Sequence, residues 1–370
     1  MLEIRYHRDF DGMCSAALLA HLLRTHRGEE VSLSSVNYDQ RTDWEAFGEG
    51  TRFAVVDFHF HPRAEYWFDH HQTTFLTPEL REVYAPSDRW RWDPESPSCP
   101  PLIIRHAKEA WGIEVEPRFH DMARWSDVVD AARFESVHQA LFGEEPALRI
   151  TRALHVPPDP DWTDTLAEAL TSDTLEEVAV REDVERAYER AARNRDKALR
   201  QFPPTVVGIE DGVLLYDASS NKIRRERFAP FYHYPEIVYA VGVIPTRAGF
   251  HVTAGENPWN KPDQGVHVGE LMERFGGGGH RAVGGANPES LDAARRRRRG
   301  GRDDPARRVR RRRRALSLRR GRSPWTLPDP SSRPRPTRHA RSSSRPAGDR
   351  STRASRAVTS SAPDCSTTPR

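Results

Sequence analysis

His7-Arg8-Asp9-Phe10-Asp11-Gly12 stands between a short apolar run at residues 2–6 and an Ala- and Leu-rich stretch at residues 14–23, and its reading decides the fold. The first run reads as a strand and the second as a helix packed on a sheet. Residues 31–36 and 53–58 read as further strands, and residues 66–68 as another. Strand, helix, strand, strand predicts an α/β domain with a mainly parallel sheet. In that architecture ligands gather at the carboxyl ends of the strands. Those ends carry His7, Asp9 and Asp11, then Asp57, then Asp69-His70-His71.

Alternate residues of an extended segment point the same way, so His7, Asp9 and Asp11 are expected to converge on one side. Imidazoles mixed with carboxylates suit Mn²⁺, and less ideally Mg²⁺, Zn²⁺ or Co²⁺. Gly12 permits a tight turn into the helix, whose N-terminus favours a phosphate. Two cations about 3.5–4 Å apart, sharing a carboxylate, hydrolyse phosphoesters with an activated water, so no Ser or Cys nucleophile is required.

Further along, residues 94–101 read as a loop, and residues 102–111 and 119–142 as helices. A Pro-rich break at residues 157–160 precedes one long charged helix over residues 174–202, whose sparse apolar side is Val178, Val184, Ala187, Ala191 and Leu199. Strands at 206–209, 213–216, 237–244 and 250–254 and a helix at 268–275 then lead into Gly276-Gly277-Gly278-Gly279-His280-Arg281. The expected organisation is a catalytic domain at 1–155, a helical linker at 156–202, a smaller α/β domain at 203–290 and a disordered tail at 291–370.

Charge separates the tail from the rest. From Arg295 onward there are 25 arginines, no lysine and 5 aspartates, a net +20, which leaves −17 for residues 1–294. Such a tail cannot bury enough apolar surface to offset its ordering entropy. Its composition is that of GC-rich codons read out of frame, or of an arm that neutralises nucleic-acid phosphates. Three scattered cysteines exclude a disulfide framework and fit a reducing compartment. No stretch reads as a signal peptide or as a membrane span, so the expected location is the cytoplasm, without membrane contact.

The His-x-Asp-x-Asp-Gly turn, the isolated strand-end Asp57, the Asp69-His70-His71 triplet and the late Gly277-Gly278-Gly279-His280 occur in the order seen in the DHH phosphoesterase superfamily, which the chain resembles over residues 1–290. Tyr6-His7-x-Asp9-x-Asp11-Gly12-x-x-Ser15-Ala16-Ala17 looks most like its oligoribonuclease and cyclic-nucleotide phosphodiesterase branch, and the glycine element resembles the DHH-associated C-terminal domain. The resemblance implies two metal ions. His7 and Asp9 would hold one, Asp11 and His70 the other, with Asp57 bridging and Asp130 completing the second, since Asp130-Ala131-Ala132-Arg133-Phe134 resembles the family's Asp-Thr-Gly-Arg-Phe. Asp127 is the fallback for Asp130. Asp69 and His71 would be catalytic or orienting groups. Gly277, Gly278, Gly279, His280 and Arg281 would bind the end of a short oligonucleotide or small nucleotide.

On the residues alone, other readings stay open. His59 and His61 alternate like polar residues on an exposed edge or could approach the metals, Arg224, Arg225 and Arg227 suit either a phosphate cleft or a solvated turn, and Trp90 and Trp92 suit base stacking or core packing. The expected activity is that of a Mn²⁺-dependent phosphodiesterase, with Mg²⁺ or Co²⁺ as substitutes. The alternatives are an exopolyphosphatase-like hydrolase, or a nucleic-acid-binding module, since an equivalent C-terminal domain is attached to alanyl-tRNA synthetases. Monomer and homodimer are both compatible with the sequence.

Overall fold

The structure is a computed structural model that describes residues 1–37, 44, 47–48, 50–219, 225–246, 249–279 and 281–287. The chain starts with β1 (Leu2–His7), α1 (Phe10–Arg27), β2 (Val31–Val36), β3 (Phe53–Val56), β4 (Trp67–Asp69), α2 (Pro78–Val83) and β5 (Trp90–Trp92). All five strands pair in parallel, in the order β2-β1-β3-β4-β5. Near-continuous apolar strands are what a parallel sheet covered on both faces requires. Ala54, Val56 and Phe68 enter one core with α1, while Phe53, Val55 and Trp67 enter an aromatic core on the other face with Phe58, Phe60 and Tyr84.

Helices α3 (Cys99–Trp111), α4 (Pro117–Asp130), α5 (Val137–Phe142), α6 (Pro146–Ala153), α7 (Trp162–Ala169), α8 (Leu175–Ala179) and α9 (Glu182–Gln201) follow. The single helix expected over residues 119–142 is two. Ala132 takes φ 51°, a left-handed conformation that ends α4, and Ser136 caps α5 by accepting from the Gln139 N–H. The long helix expected over residues 174–202 is also two. Thr174 and Glu177 form a capping box on α8, and a fresh acidic first turn with Glu182, Asp183 and Glu185 starts α9. The five sparse apolar positions are nonetheless all buried. Residues 94–101 are a loop only up to Ser98, because Pro100 and Pro101 fit the first turn of α3, where no amide is needed. Helices α6 and α7, on either side of the Pro-rich break, were not anticipated.

The second sheet contains β6 (Val206–Glu210), β7 (Val213–Asp217), β8 (Tyr239–Thr246), β9 (Gly249–Glu256), β10 (Gly278–Gly279) and β11 (Val283–Ala286), with α10 (Ala229–His233) and α11 (Val268–Glu273). Its order is β10-β11-β9-β8-β7-β6, antiparallel except for β7 with β8. The glycine run is therefore an edge strand rather than a slack loop. A Cβ on Gly277 would lie 2.0 Å from the Gly285 carbonyl oxygen, so glycine there permits backbone-on-backbone packing. Both sheets belong to one compact unit, Met1–Asp303. Among the described residues no helix is long and apolar enough to cross a membrane. Residues 288–370, His280 and Arg224 lie outside the described residues.

Candidate metal centre and cleft

His7, Asp9 and Asp11 do converge, but not by strand alternation. His7 ends β1, Asp9 is the N-cap of α1 and accepts from the Gly12 amide at 2.9 Å, and Asp11 sits in the first helical turn. Gly12 is required by close approach, since a Cβ there would lie 2.1 Å from the His7 carbonyl oxygen. The His7 Nδ1 lies 2.8 Å from Asp9 Oδ2. Asp11 is buried and accepts from the Cys99 amide at the start of α3, at 3.0 and 3.2 Å, so its carboxylate is held from two helices.

Asp57 ends β3 in a conformation that few residues adopt. Its φ is 53°, it is 1% exposed, and neither carboxylate oxygen has a hydrogen bond among the described residues. A left-handed non-glycine residue costs on the order of 1–3 kcal/mol and persists only where its surroundings over-determine it. Around it stand three imidazoles: His70 Nε2 at 3.4 Å, His71 Nδ1 at 3.6 Å and His7 Nδ1 at 3.9 Å.

The triplet follows at the end of β4. Asp69 is fully buried and its Oδ1 accepts from the His70 amide and pairs with His71 Nδ1, both at 2.8 Å. His70 places Nδ1 3.1 Å from the Ser96 carbonyl oxygen, which assigns the proton to that nitrogen and turns the Nε2 lone pair inward. That Nε2 lies 3.4 Å from Asp11 and 3.7 Å from Asp130, the last residue of α4. Asp127 instead accepts from Ser98 Oγ at 2.7 Å and takes no part in the cluster.

Crowding of carboxylates governs the protonation of the cation-free site. Burial pushes Asp57 well above the usual carboxylate range, and the Asp11 and Asp9 charges push it further. Burial and Asp11 raise Asp130 to about 7. Burial opposes protonation of His7 and His71, but Asp9 raises His7 to about 9 and Asp69 raises His71 to about 10. Protons thus occupy positions that suit cations.

Donor atoms of His7, Asp9 and Asp57 lie within 4.8 Å of one another, as do those of Asp11, His70 and Asp130, and those of Asp57, Asp69, His70 and His71. Asp57 is common to two of these groups and its Oδ1 reaches His70 of the remaining one. Mixed imidazole and carboxylate donors, with buried oxygens that lack hydrogen-bond partners, fit a pair of borderline divalent ions. His59 and His61, expected on an exposed edge, are instead buried against the aromatic core, with His61 edge-on to Trp44 and Phe53. Trp90 and Trp92 pair in β5, and their indole N–H groups donate to Ala64 and His71 carbonyl oxygens.

A cleft of about 830 Å³ runs from His70 and Asp130 to the second sheet, where Arg225, Arg227, Lys261 and Arg281 line it, with Arg133 on the near side. The glycine element contributes Arg281, Ala282 and Val283 to this lining but not its three central glycines.

The fold is similar to that of PggH, a pGpG-specific phosphodiesterase from Vibrio cholerae, which is 18% identical, with a TM-score of 0.55 over 80% of this chain and 97% of that one. The chain has the fold of this phosphodiesterase. RecJ from Thermus thermophilus, solved with Mn²⁺, is 14% identical, with a TM-score of 0.47 over 80% of this chain and 51% of that one. An exopolyphosphatase-related protein from Bacteroides fragilis is 13% identical, with a TM-score of 0.38 over 79% and 90%. No family model and no curated protein matches the sequence.

Proposed function

We propose that the chain is a divalent-metal-dependent phosphoesterase that hydrolyses phosphodiester or phosphomonoester bonds of short oligonucleotides or small nucleotides, with Mn²⁺ as the preferred ion. The observation that carries this reading is Asp57, a strained, buried carboxylate without hydrogen bonds among the described residues, ringed by three imidazoles and reaching both ligand groups. His7, Asp9 and Asp57 would hold one ion, and Asp11, His70 and Asp130 the other. When bound, such ions polarise the phosphoryl group and lower the pKa of an attacking water.

The remaining chemistry belongs to the chain. Asp69 holds His71 by Nδ1 and favours its protonated form, which suits that imidazole to protonate the departing oxygen. The Cys99 amide and the Ser96 carbonyl keep Asp11 and His70 from swinging out of register. The cleft has the volume for a small nucleotide ligand, and its cations offset the −17 of residues 1–294, which repels long polyanions. The dinucleotide named for PggH is in keeping with a cleft of that size.

The test is release of mononucleotide from a 5′-phosphorylated dinucleotide by the purified chain with Mn²⁺, set beside Asp57→Asn, since Asn tolerates the left-handed backbone. The expected result is turnover by the parent and a loss of about 10³-fold or more in the variant, on the order of 4 kcal/mol of transition-state stabilisation. Equal turnover by both chains would overturn the reading.

A further inference from the structure

The glycine element was expected to grip the substrate. The Gly277 amide, however, already donates to the Met272 carbonyl at 3.0 Å, and a Cβ at Gly277 or Gly279 would meet the backbone of β11 at 2.0 and 2.3 Å. Gly277 therefore closes the end of α11 and cannot offer its N–H to a phosphate. The strongest cations facing the cleft come from another part of the chain.

Arg225 and Arg227 precede α10, both are exposed, and both line the cleft that contains His70 and Asp130. Neither guanidinium has a hydrogen bond or ion pair among the described residues. Each is nonetheless placed by its neighbours. The Arg227 guanidinium lies 5.3 Å from the ring centroid of Phe228, itself buried. Arg225 shares with Tyr216 the lining of a small side cavity of about 80 Å³. The Tyr216 ring lies over Gly242 of the neighbouring strand, where a Cβ would come within 2.0 Å of it. Glu226, between the two arginines, has Arg152 as its strongest cationic neighbour, and the charge of Arg227 is supported first by Asp130 across the cleft and then by Glu226. Two guanidinium groups that no carboxylate hydrogen-bonds among the described residues, in a concave site, match the oxygens of a phosphate.

We propose that Arg225 and Arg227 form a subsite for a second phosphate of the substrate, one that is not cut. This rests on the phosphoesterase reading, in which the cut bond lies at His70 and Asp130. The subsite would make the enzyme prefer substrates with two phosphate groups over those with one, and that preference would come from the segment before α10 rather than from the glycine strand.

The test compares Arg225→Ala, Arg227→Ala and Arg227→Lys in the full chain, with the dinucleotide pApA and with bis(p-nitrophenyl) phosphate, which has a single phosphate. Each alanine variant should raise KM for pApA by about 10- to 100-fold with little change in kcat, the loss expected for a charged hydrogen-bond partner. Hydrolysis of bis(p-nitrophenyl) phosphate should be unchanged, and Arg227→Lys should recover part of the affinity. Unchanged KM for pApA, or equal loss on both substrates, overturns the subsite. Anisotropy of fluorescein-labelled pApA separates the two readings. A parent chain that hydrolyses neither substrate but binds pApA through Arg227 loses the phosphoesterase reading and keeps the subsite. Binding that is indifferent to both arginines removes the subsite alone.

Discussion

At the first sheet the charged groups are buried and tied to one another: Asp11 is held by the Cys99 amide, His71 by Asp69, His70 by the Ser96 carbonyl. At the far side of the cleft Arg225 and Arg227 are exposed and have no ion pair among the described residues, and two of the glycines expected to bind, Gly277 and Gly279, are packed against β11. Reaction chemistry demands rigid convergence on a point smaller than a side chain, so it is built from strand ends and helix starts. Recognition of a second charge needs only reach and orientation, and a segment outside the sheet supplies both. The two ends of the cleft should respond differently to substitution, pH and cation.

The largest difference is expected at the second ion. Asp130→Asn should lower turnover by about 10²-fold or more, because it removes a ligand from the Asp11 and His70 group. Steady-state kinetics with excess Mn²⁺ reads this, and an unchanged kcat would remove Asp130 from the site.

On the glycine strand the expected effect is on stability. Gly277→Ala drives a Cβ into the Gly285 carbonyl and should cost about 3 kcal/mol. Gly278→Ala meets nothing within 4 Å and should cost less than about 1 kcal/mol. Urea unfolding of the two variants checks this. If the two behave alike and both weaken substrate binding, the strand is a binding element after all.

A smaller effect is expected from pH. His7 is raised to about 9 in the cation-free fold, so its proton contributes stability fully below the ordinary value of 6.5, a contribution lost as pH rises through about 9. The Tm of the metal-free chain should therefore fall by several degrees between pH 6.5 and 9. The stabilisation given by added Mn²⁺ should grow over the same range, because the ion displaces those protons. Arg227→Ala should leave both trends intact. Differential scanning calorimetry in chelator and in Mn²⁺ measures them.

The smallest effect concerns Ala132, whose φ of 51° suits glycine. Ala132→Gly should stabilise the chain by about 1 kcal/mol without changing turnover, as read by urea unfolding.

How much of this was legible in the sequence follows the same division. The strand-end residues His7, Asp57 and the triplet could be read because short apolar-rich runs, continuous in β3, end abruptly in chemistry. The means of convergence was misread, since nothing in His-x-Asp-x-Asp says that the helix begins at Phe10. The helix expected over residues 119–142 concealed its break for a related reason: a left-handed alanine carries no compositional mark. His59 and His61 looked exposed because alternation alone does not register the aromatic core that covers them. The close packing of Gly277 and Gly279 was not legible because permissiveness at φ serves packing as readily as ligand approach. Arg225 and Arg227 were noticed, but only the cleft distinguishes them from a solvated turn.

Counting bound cations tests the central claim most directly. Mn²⁺ titration, followed by calorimetry or by the paramagnetic signal of the free ion, should give two ions per parent chain. Asp130→Asn should bind one fewer with its fold intact, and Arg227→Ala should still bind two. A parent chain that binds no Mn²⁺, or an Asp130→Asn chain that still binds two at the parent affinity, would contradict the account.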